Sequence, residues 1–385
     1  MPELKYSDFS AQLVGRGTNR NLPLAGGIEL TARCNLRCVH CYVNLPLSAG
    51  GDLPTPIIER ILSEMADAGC LWLLVTGGEP LVREDFTRLY TFAKNKGFLI
   101  TLFTNATLLT PEHARLLEEL RPFKVEVTLY GATEQTYERV TRVRGSYRRC
   151  MEGIERLAAT KVPLCLKTMA MTLNAHEVFR VEELANRYGA TFRYDPMIMG
   201  RLDGQEGPRG VRLSPVQALE ADVSDPRRVQ EWVKARDKFY GPPKDDGLLF
   251  QCGAGLNNFY VDAQGGLLLC PVTRSWRYDL VAGSFREGWQ KAMSARRQRR
   301  RTRPSACSDC HLVSLCGQCP GWGETEHGDP EARVEHLCRV AHLRAEFLEK
   351  IAPQRRPACP RDKAPRTEGP AAPPLRGHAA TPKGE

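Results

Sequence analysis

The stretch TARCNLRCVHCYVN, residues 31–44, places three cysteines, Cys34, Cys38 and Cys41, within eight residues. It directly follows GGIELT (residues 26–31), a short apolar run that reads as a strand. Thiolates are the soft ligands that zinc and iron–sulfur clusters select. Three of them are one short of the four that close a structural zinc site or saturate a four-iron cluster. A cluster held this way keeps one iron without a protein ligand, a place where a cofactor or substrate can chelate the metal. Completion by a remote ligand into a zinc site is the alternative.

Outward from this loop, apolar runs alternate with helical patterns. TPIIERILSEMADAG (55–69) predicts a helix with Thr55 as N-cap, Pro56 in the first turn and Gly69 as its stop. LWLLVT (71–76) is a continuous apolar run of the kind buried on both faces of a parallel sheet. EDFTRLYTFAKNKG (84–97) is helical, LITLFT (99–104) a strand, TPEHARLLEEL (110–120) helical and KVEVTLY (124–130) a strand. Helices between Glu134 and Ala159 lead to PLCLKTMAM (163–171). Asn174 and Glu177 suggest a capping box for a helix ending near Gly189, and TFRYDP (191–196) is the last strand. Strand and helix alternate six times, which predicts a mostly parallel sheet with right-handed crossovers. Six units are too few for a closed eight-stranded barrel. An open partial (β/α)6 barrel is expected, with its chemistry at the strand ends.

The chain has 385 residues, a net charge of +9 and fourteen cysteines. A core of this size needs no disulfides, and clustered cysteines in a reducing compartment bind metal more often than they pair. The start carries no apolar signal-peptide core and no run is long enough to span a bilayer, so the expectation is a cytoplasmic protein without a membrane partner. Much of the positive charge lies in ARRQRRRTRP (295–304) and in the C-terminal tail. Without interleaved aromatic residues it reads as solvated arginine, not a nucleic-acid platform. The expected organisation is an N-terminal extension (1–26), a barrel (27–200), a connecting segment (201–250), a cysteine-rich domain (251–350) and a disordered Pro-rich tail (351–385).

The spacing of Cys34, Cys38 and Cys41 resembles the signature of the radical S-adenosylmethionine (SAM) enzymes. The resemblance implies a [4Fe-4S] cluster whose open iron binds the amino and carboxylate groups of SAM. It also implies reductive cleavage of SAM to a 5′-deoxyadenosyl radical that takes hydrogen from a substrate. Gly77, Gly78, Glu79 and Pro80, in TGGEP at the end of the second strand, match the family loop that contacts the methionine amino group. Thr104 and Asn105 end the third strand and Thr128 the fourth, each a polar SAM contact by the same analogy. Lys167 and Asp195 point to the same end if alternation holds, either toward SAM or as a salt bridge lining the barrel. Arg142 and Arg144 are candidates for the SAM carboxylate, and His40 packs over the cluster.

Downstream, Cys252, Cys270, Cys307, Cys310, Cys316, Cys319 and Cys338 resemble the SPASM extension, which carries one or two auxiliary iron–sulfur clusters. Analogy assigns Cys252, Cys270 and Cys319 to one cluster and Cys307, Cys310, Cys316 and Cys338 to the other. Two residues separate Cys316 from Cys319 where the family has three, and no fourth cysteine lies near Cys252. Paired CxxC knuckles alone also fit a zinc ribbon. Cys70, Cys150 and Cys165 read as small core residues, and Cys359 falls in the tail. The architecture implies a radical enzyme acting on a peptide or small protein, with modification of a tetrapyrrole or other cofactor precursor as the alternative. An anaerobic sulfatase maturase is disfavoured because Pro271 stands where that family has an Asp. Implied partners are a flavodoxin or ferredoxin reductant and a precursor peptide; since little chain precedes the first strand, either a separate leader-binding partner delivers that peptide or the barrel binds it directly.

Overall fold

The computed structural model describes residues 5–43, 51–239, 247–273, 276–308 and 310–353. Its centre is one nine-stranded sheet in the order β6-β5-β4-β3-β2-β1-β7-β8-β9. Helix α1 (Tyr6–Asn19) precedes β1 (Ala25–Glu29). There follow α2 (Thr55–Asp67), β2 (Trp72–Thr76), α3 (Phe86–Asn95), β3 (Leu99–Thr104), α4 (Pro111–Glu119) and β4 (Lys124–Thr128). The barrel half ends with α5 (Glu134–Thr141), α6 (Ser146–Ala158), β5 (Leu164–Met169), α7 (Val178–Arg187) and β6 (Thr191–Asp195). Every neighbour pair from β1 to β6 is parallel. The open (β/α)6 sheet read from the alternation is therefore present.

Period-two alternation divides each strand between two faces. Ile100 and Leu102 of β3, with Val125 and Val127 of β4, are fully buried and share a core with Ile58, Ile61, Leu62 and Phe86 of the flanking helices. The other face is half-buried and lines the lumen: Thr101 and Phe103 of β3, Lys124 and Thr128 of β4, Lys167 of β5. Below the lumen, Trp72 Nε1 donates to the Tyr6 hydroxyl at 2.7 Å, and the Tyr6 and Phe123 rings lie 5.2 Å apart. This contact ties α1 across the strand starts.

Two local expectations are corrected. Thr55 does not cap α2: the cap position is Pro54, and the Thr55 hydroxyl donates instead to Asp85 Oδ2. Asn174 and Glu177 form no capping box. The Asn174 amide donates to the Tyr130 and Met169 carbonyls, binding the β4 loop to the end of β5. The Glu177 carboxylate accepts from the Ala132 and Thr133 amides and the Thr133 and Thr136 hydroxyls, so it serves the start of α5.

Residues 201–250, expected as a loose connection, hold α8 (Pro215–Val223) and α9 (Pro226–Lys238). Ser214 and Gln217 make a reciprocal capping box, and Asp225 caps α9. Asp222, 1% exposed, is gripped by Arg228 and by Arg344 of α13 (Glu335–Ile351), joining α8, α9 and the last helix.

The cysteine-rich region does not start a new sheet. Its β7 (Asn258–Val261) lies parallel beside β1, and β8 (Gly266–Leu268) and β9 (Tyr278–Asp279) continue antiparallel. The register requires glycine: a Cβ on Gly26 would sit 2.2 Å from the Phe259 ring, and one on Gly27 2.5 Å from Tyr260. Phe259 then packs on Phe285 of α10 (Phe285–Glu287) and on Trp289. Short α11 (Ser294–Arg297) and α12 (Pro320–His327) complete the chain before α13. Among the described residues no helix is long and apolar enough to cross a membrane. Cys359 and the tail beyond residue 353 lie outside the described residues.

Candidate active site

The cysteine loop leaves β1 and folds over the strand ends. Its backbone is fastened to α5, Arg37 N donating to Thr141 O and Val39 N to Val140 O, both at 3.0 Å. From the other side, Gly78 N donates to Thr31 O at 2.8 Å and Glu79 N to Arg33 O at 2.9 Å. The glycines allow this approach. Gly77 has φ of +144°, and a Cβ there would lie 2.4 Å from Thr31 O; one on Gly78 would lie 2.3 Å from Arg33 O. The GGEP loop is thus packed backbone-to-backbone against the residues that precede Cys34.

Glu79 is the tie beneath. Its carboxylate accepts from Leu81 N at 3.2 Å, Thr104 Oγ1 at 2.7 Å and Asn105 N at 2.6 Å, joining the ends of β2 and β3. It is 1% exposed, and burial raises its carboxyl to about 7 although these hydrogen bonds and the Lys167 charge pull it down. Asn105 Nδ2 donates to Asn35 Oδ1 at 3.0 Å and reaches Cys34 Sγ at 4.0 Å. Asn105 thus ties the end of β3 to the loop that carries Cys34, and Thr104, expected like Asn105 to contact a cofactor, is held by Glu79 at the same rim. Pro80 opens a short 3-10 turn, which Glu79 caps.

Cys34, Cys38 and Cys41 interact electrostatically with one another. Burial pushes the Cys34 thiol up to about 11 and Cys38 higher still, and the neighbouring sulfurs add to both shifts. Without metal these thiols keep their protons at neutral pH, and a metal must displace them. Among the described residues, no three His, Cys, Asp or Glu side chains close around a single point as ligands of one ion would. An iron–sulfur cluster presents separate corners, each taking one thiolate, and the three soft donors at the sheet rim fit it.

One side chain at this loop escaped the sequence reading. Tyr130 lies beside Cys38 and packs edge-on to His40, ring centroids 4.6 Å apart. Its signal was present: Tyr130 is two residues beyond Thr128 and so shares its face. His40 is buried, as the packing role requires, and burial lowers its pKa to about 4, so it is a neutral ring at physiological pH. Among the described residues its Nδ1 has no hydrogen-bond partner.

The polar strand residues divide. Thr128 stands at the end of β4 on the lumen face. Lys167, level with it in register, turns toward Glu126 Oε2 at 3.7 Å, with Nζ 2.8 Å from the Phe103 ring centroid. Asp195 is exposed and accepts from Met197 N at 2.9 Å. Lys167 thus adopts the lining salt bridge, one of its two expected placements.

The remaining cysteines gather in two groups. Cys319, at the start of α12, interacts with Cys270 and Cys252. Cys316 interacts with Cys307, Cys338 and Cys310. Gln318, between Cys316 and Cys319, donates to Ala332 O and accepts from Val334 N, fixing this short linker against the approach to α13. Thr273 Oγ1 lies 3.3 Å from Cys270 Sγ in the three-cysteine group. Cys70, Cys150 and Cys165 are buried in the barrel.

Residues 28–185 match the model of the radical SAM superfamily. The chain is 30% identical over 311 residues to mycofactocin maturase MftC of Mycobacterium ulcerans, covering 76% of this chain and 81% of that one. It is 34% identical over 340 residues to the AdoMet-dependent heme synthase of Methanosarcina barkeri, covering 80% and 94%. Among solved structures, Streptococcus suis SuiB bound to the precursor peptide SuiA superimposes with a TM-score of 0.65 at 14% identity, covering 88% of this chain and 82% of that one. At that identity the likeness is one of fold.

Proposed function

The chain belongs to the radical SAM superfamily and carries a SPASM-type C-terminal region, and on that premise we propose that it modifies a peptide or small protein. The bound [4Fe-4S] cluster and SAM supply a 5′-deoxyadenosyl radical for hydrogen abstraction. The protein's part is placement. Cys34, Cys38 and Cys41 hold the cluster at the rim. The Gly77–Gly78 backbone, pinned to the cysteine loop, offers the methionine end of SAM its contacts, with Glu79 and Pro80 fixing the loop from below. Thr128 faces the same space. Cys252, Cys270 and Cys319 hold one auxiliary cluster; Cys307, Cys310, Cys316 and Cys338 hold the second. A low-potential reductant follows from this reading. So does the division into barrel, connecting segment and auxiliary-cluster domain.

The observation that carries the proposal is the coupling of an incomplete three-thiol site at the sheet rim to two further cysteine groups in one chain. Similarity to a PqqA peptide cyclase, 31% identical over 158 residues, supports a peptide substrate. The heme synthase, similar over nearly its whole length, supports a second reading, a tetrapyrrole precursor. Anaerobic incubation of the reconstituted enzyme with dithionite, SAM and candidate precursors, followed by mass spectrometry, tests both. We expect 5′-deoxyadenosine together with a mass change on a peptide. A mass change confined to tetrapyrroles selects the second reading, and no 5′-deoxyadenosine under any condition refutes both.

A further inference from the structure

The lumen wall carries a charge arrangement that the SAM site does not use. Lys167 and Arg193 are register partners on β5 and β6, so two cations stand side by side across the ladder. Like charges placed directly opposite destabilise a sheet unless something offsets them. Glu126 of β4 offsets them incompletely, because one carboxylate serves three cations. Arg193 Nε and Nη2 both donate to its Oε2, at 3.0 and 2.5 Å. Lys167 Nζ is 3.7 Å from the same oxygen, and Lys124 Nζ is 3.9 Å from Oε1.

The remaining neighbours supply little more. Phe103 of β3 presents its ring face to Lys167 and stands 5.8 Å from the Arg193 guanidinium carbon. Asp195, next on the β6 lumen face, is exposed and holds the Met197 amide. Glu29 of β1 is engaged by Tyr260 and the Ala263 amide. Lys167 is largely buried, with 15% of its side chain exposed, whereas Arg193 is 52% exposed. Both Arg193 nitrogens crowd onto one oxygen of Glu126, whereas a guanidinium best engages both oxygens of a carboxylate.

We infer that Lys167 and Arg193 form a carboxylate-binding subsite in the barrel lumen, level with Thr128 across the sheet, one that selects substrates bearing a free carboxylate. This rests on the lumen being the substrate chamber of the proposed radical enzyme. Glu126 is the internal competitor that holds the two cations in place until an anionic substrate enters. An acidic peptide side chain and a tetrapyrrole carboxylate share this chemistry.

The test is anaerobic isothermal titration of the reconstituted holoenzyme with two probes, coproporphyrin III and a short glutamate-containing peptide, each against its esterified or glutamine counterpart. We expect one probe to bind only with its carboxylate free, identifying the source. Arg193→Gln should weaken that binding about tenfold and Arg193→Lys less, since a lysine keeps the charge but loses the fork. Glu126→Gln should tighten it, a direction that a purely structural role for the cluster does not produce. The inference is overturned if neither probe binds the wild type saturably, if esterified probes bind equally, or if Arg193→Gln loses SAM affinity in step with probe affinity. Formation of 5′-deoxyadenosine by the same preparation separates the cases. If it forms, only the subsite is lost; if it does not, the radical SAM reading itself has failed.

Discussion

Replacing Gly78 by alanine tests how the GGEP loop and the cysteine loop depend on each other. The added Cβ would meet Arg33 O at 2.3 Å, Arg33 C at 2.6 Å and Ala32 O at 2.8 Å, all backbone atoms that no rotamer change can move. Ordinary contact needs about 1 Å more, so the two loops must separate by that distance. The Glu79 N to Arg33 O hydrogen bond, now 2.9 Å, is then lost. Overpacking of this kind costs about 1–3 kcal/mol, and the lost hydrogen bond about 1 kcal/mol more. Because Cys34 follows Arg33 directly, the shift is delivered to a proposed cluster ligand. Gly78→Ala should therefore lower the unfolding midpoint, lose iron from the rim site and abolish SAM cleavage while the auxiliary iron stays. The assays are iron per chain, 5′-deoxyadenosine yield and a denaturant titration. Full iron and unchanged turnover in this variant would show that the glycine is not there for the loop-to-loop approach.

Other expectations follow from the same geometry. Gly15→Ala, on an exposed face of α1 with nothing within 4 Å, should stabilise the protein by about 0.5–1 kcal/mol in the same titration and leave iron content alone. Glu79 should give stability a pH slope: its carboxyl rises from 4.5 unfolded to about 7 folded, so the native state keeps a proton that the unfolded chain has released. Stability attributable to Glu79 is then full below about pH 4.5 and falls by about 3 kcal/mol as pH rises through 7. Urea titrations from pH 5 to 8 should show this loss in the wild type and not in Glu79→Gln; parallel slopes would contradict it. Asp222→Ala should cost about 3–5 kcal/mol by stranding Arg228 and Arg344, read as a drop in melting temperature.

The sequence was most readable where local chemistry decides structure. The runs 71–76 and 99–104 became adjacent parallel strands as read, although only one face is fully buried and the other, expected to be buried too for 71–76, is half-buried toward the lumen. The three-cysteine loop followed its strand as read. What stayed hidden depends on partners far along the chain. Nothing near Asn258 announces that β7 will lie against β1; the clue is Gly26 and Gly27, whose missing side chains make room for Phe259 and Tyr260. Thr104 and Asn105 were legible as rim residues because they end a strand, but their bonds to Glu79, Asn35 and Cys34 depend on loops brought together from elsewhere in the chain. Glu177 read as a local cap because it stands three positions after Asn174, yet its oxygens serve a helix some forty residues earlier. The capping residues Ser214 and Asp225 were legible signals of α8 and α9 that composition alone obscured.

The most direct test of the account is electron paramagnetic resonance of the dithionite-reduced, anaerobically reconstituted enzyme with and without SAM. SAM should change the signal of one cluster, and that SAM-sensitive signal should be missing from Cys38→Ala while the other cluster signals persist. A spectrum that SAM leaves unaltered in the wild type, or a SAM-sensitive signal that survives in Cys38→Ala, would contradict a cluster held by Cys34, Cys38 and Cys41 with one iron open to the cofactor.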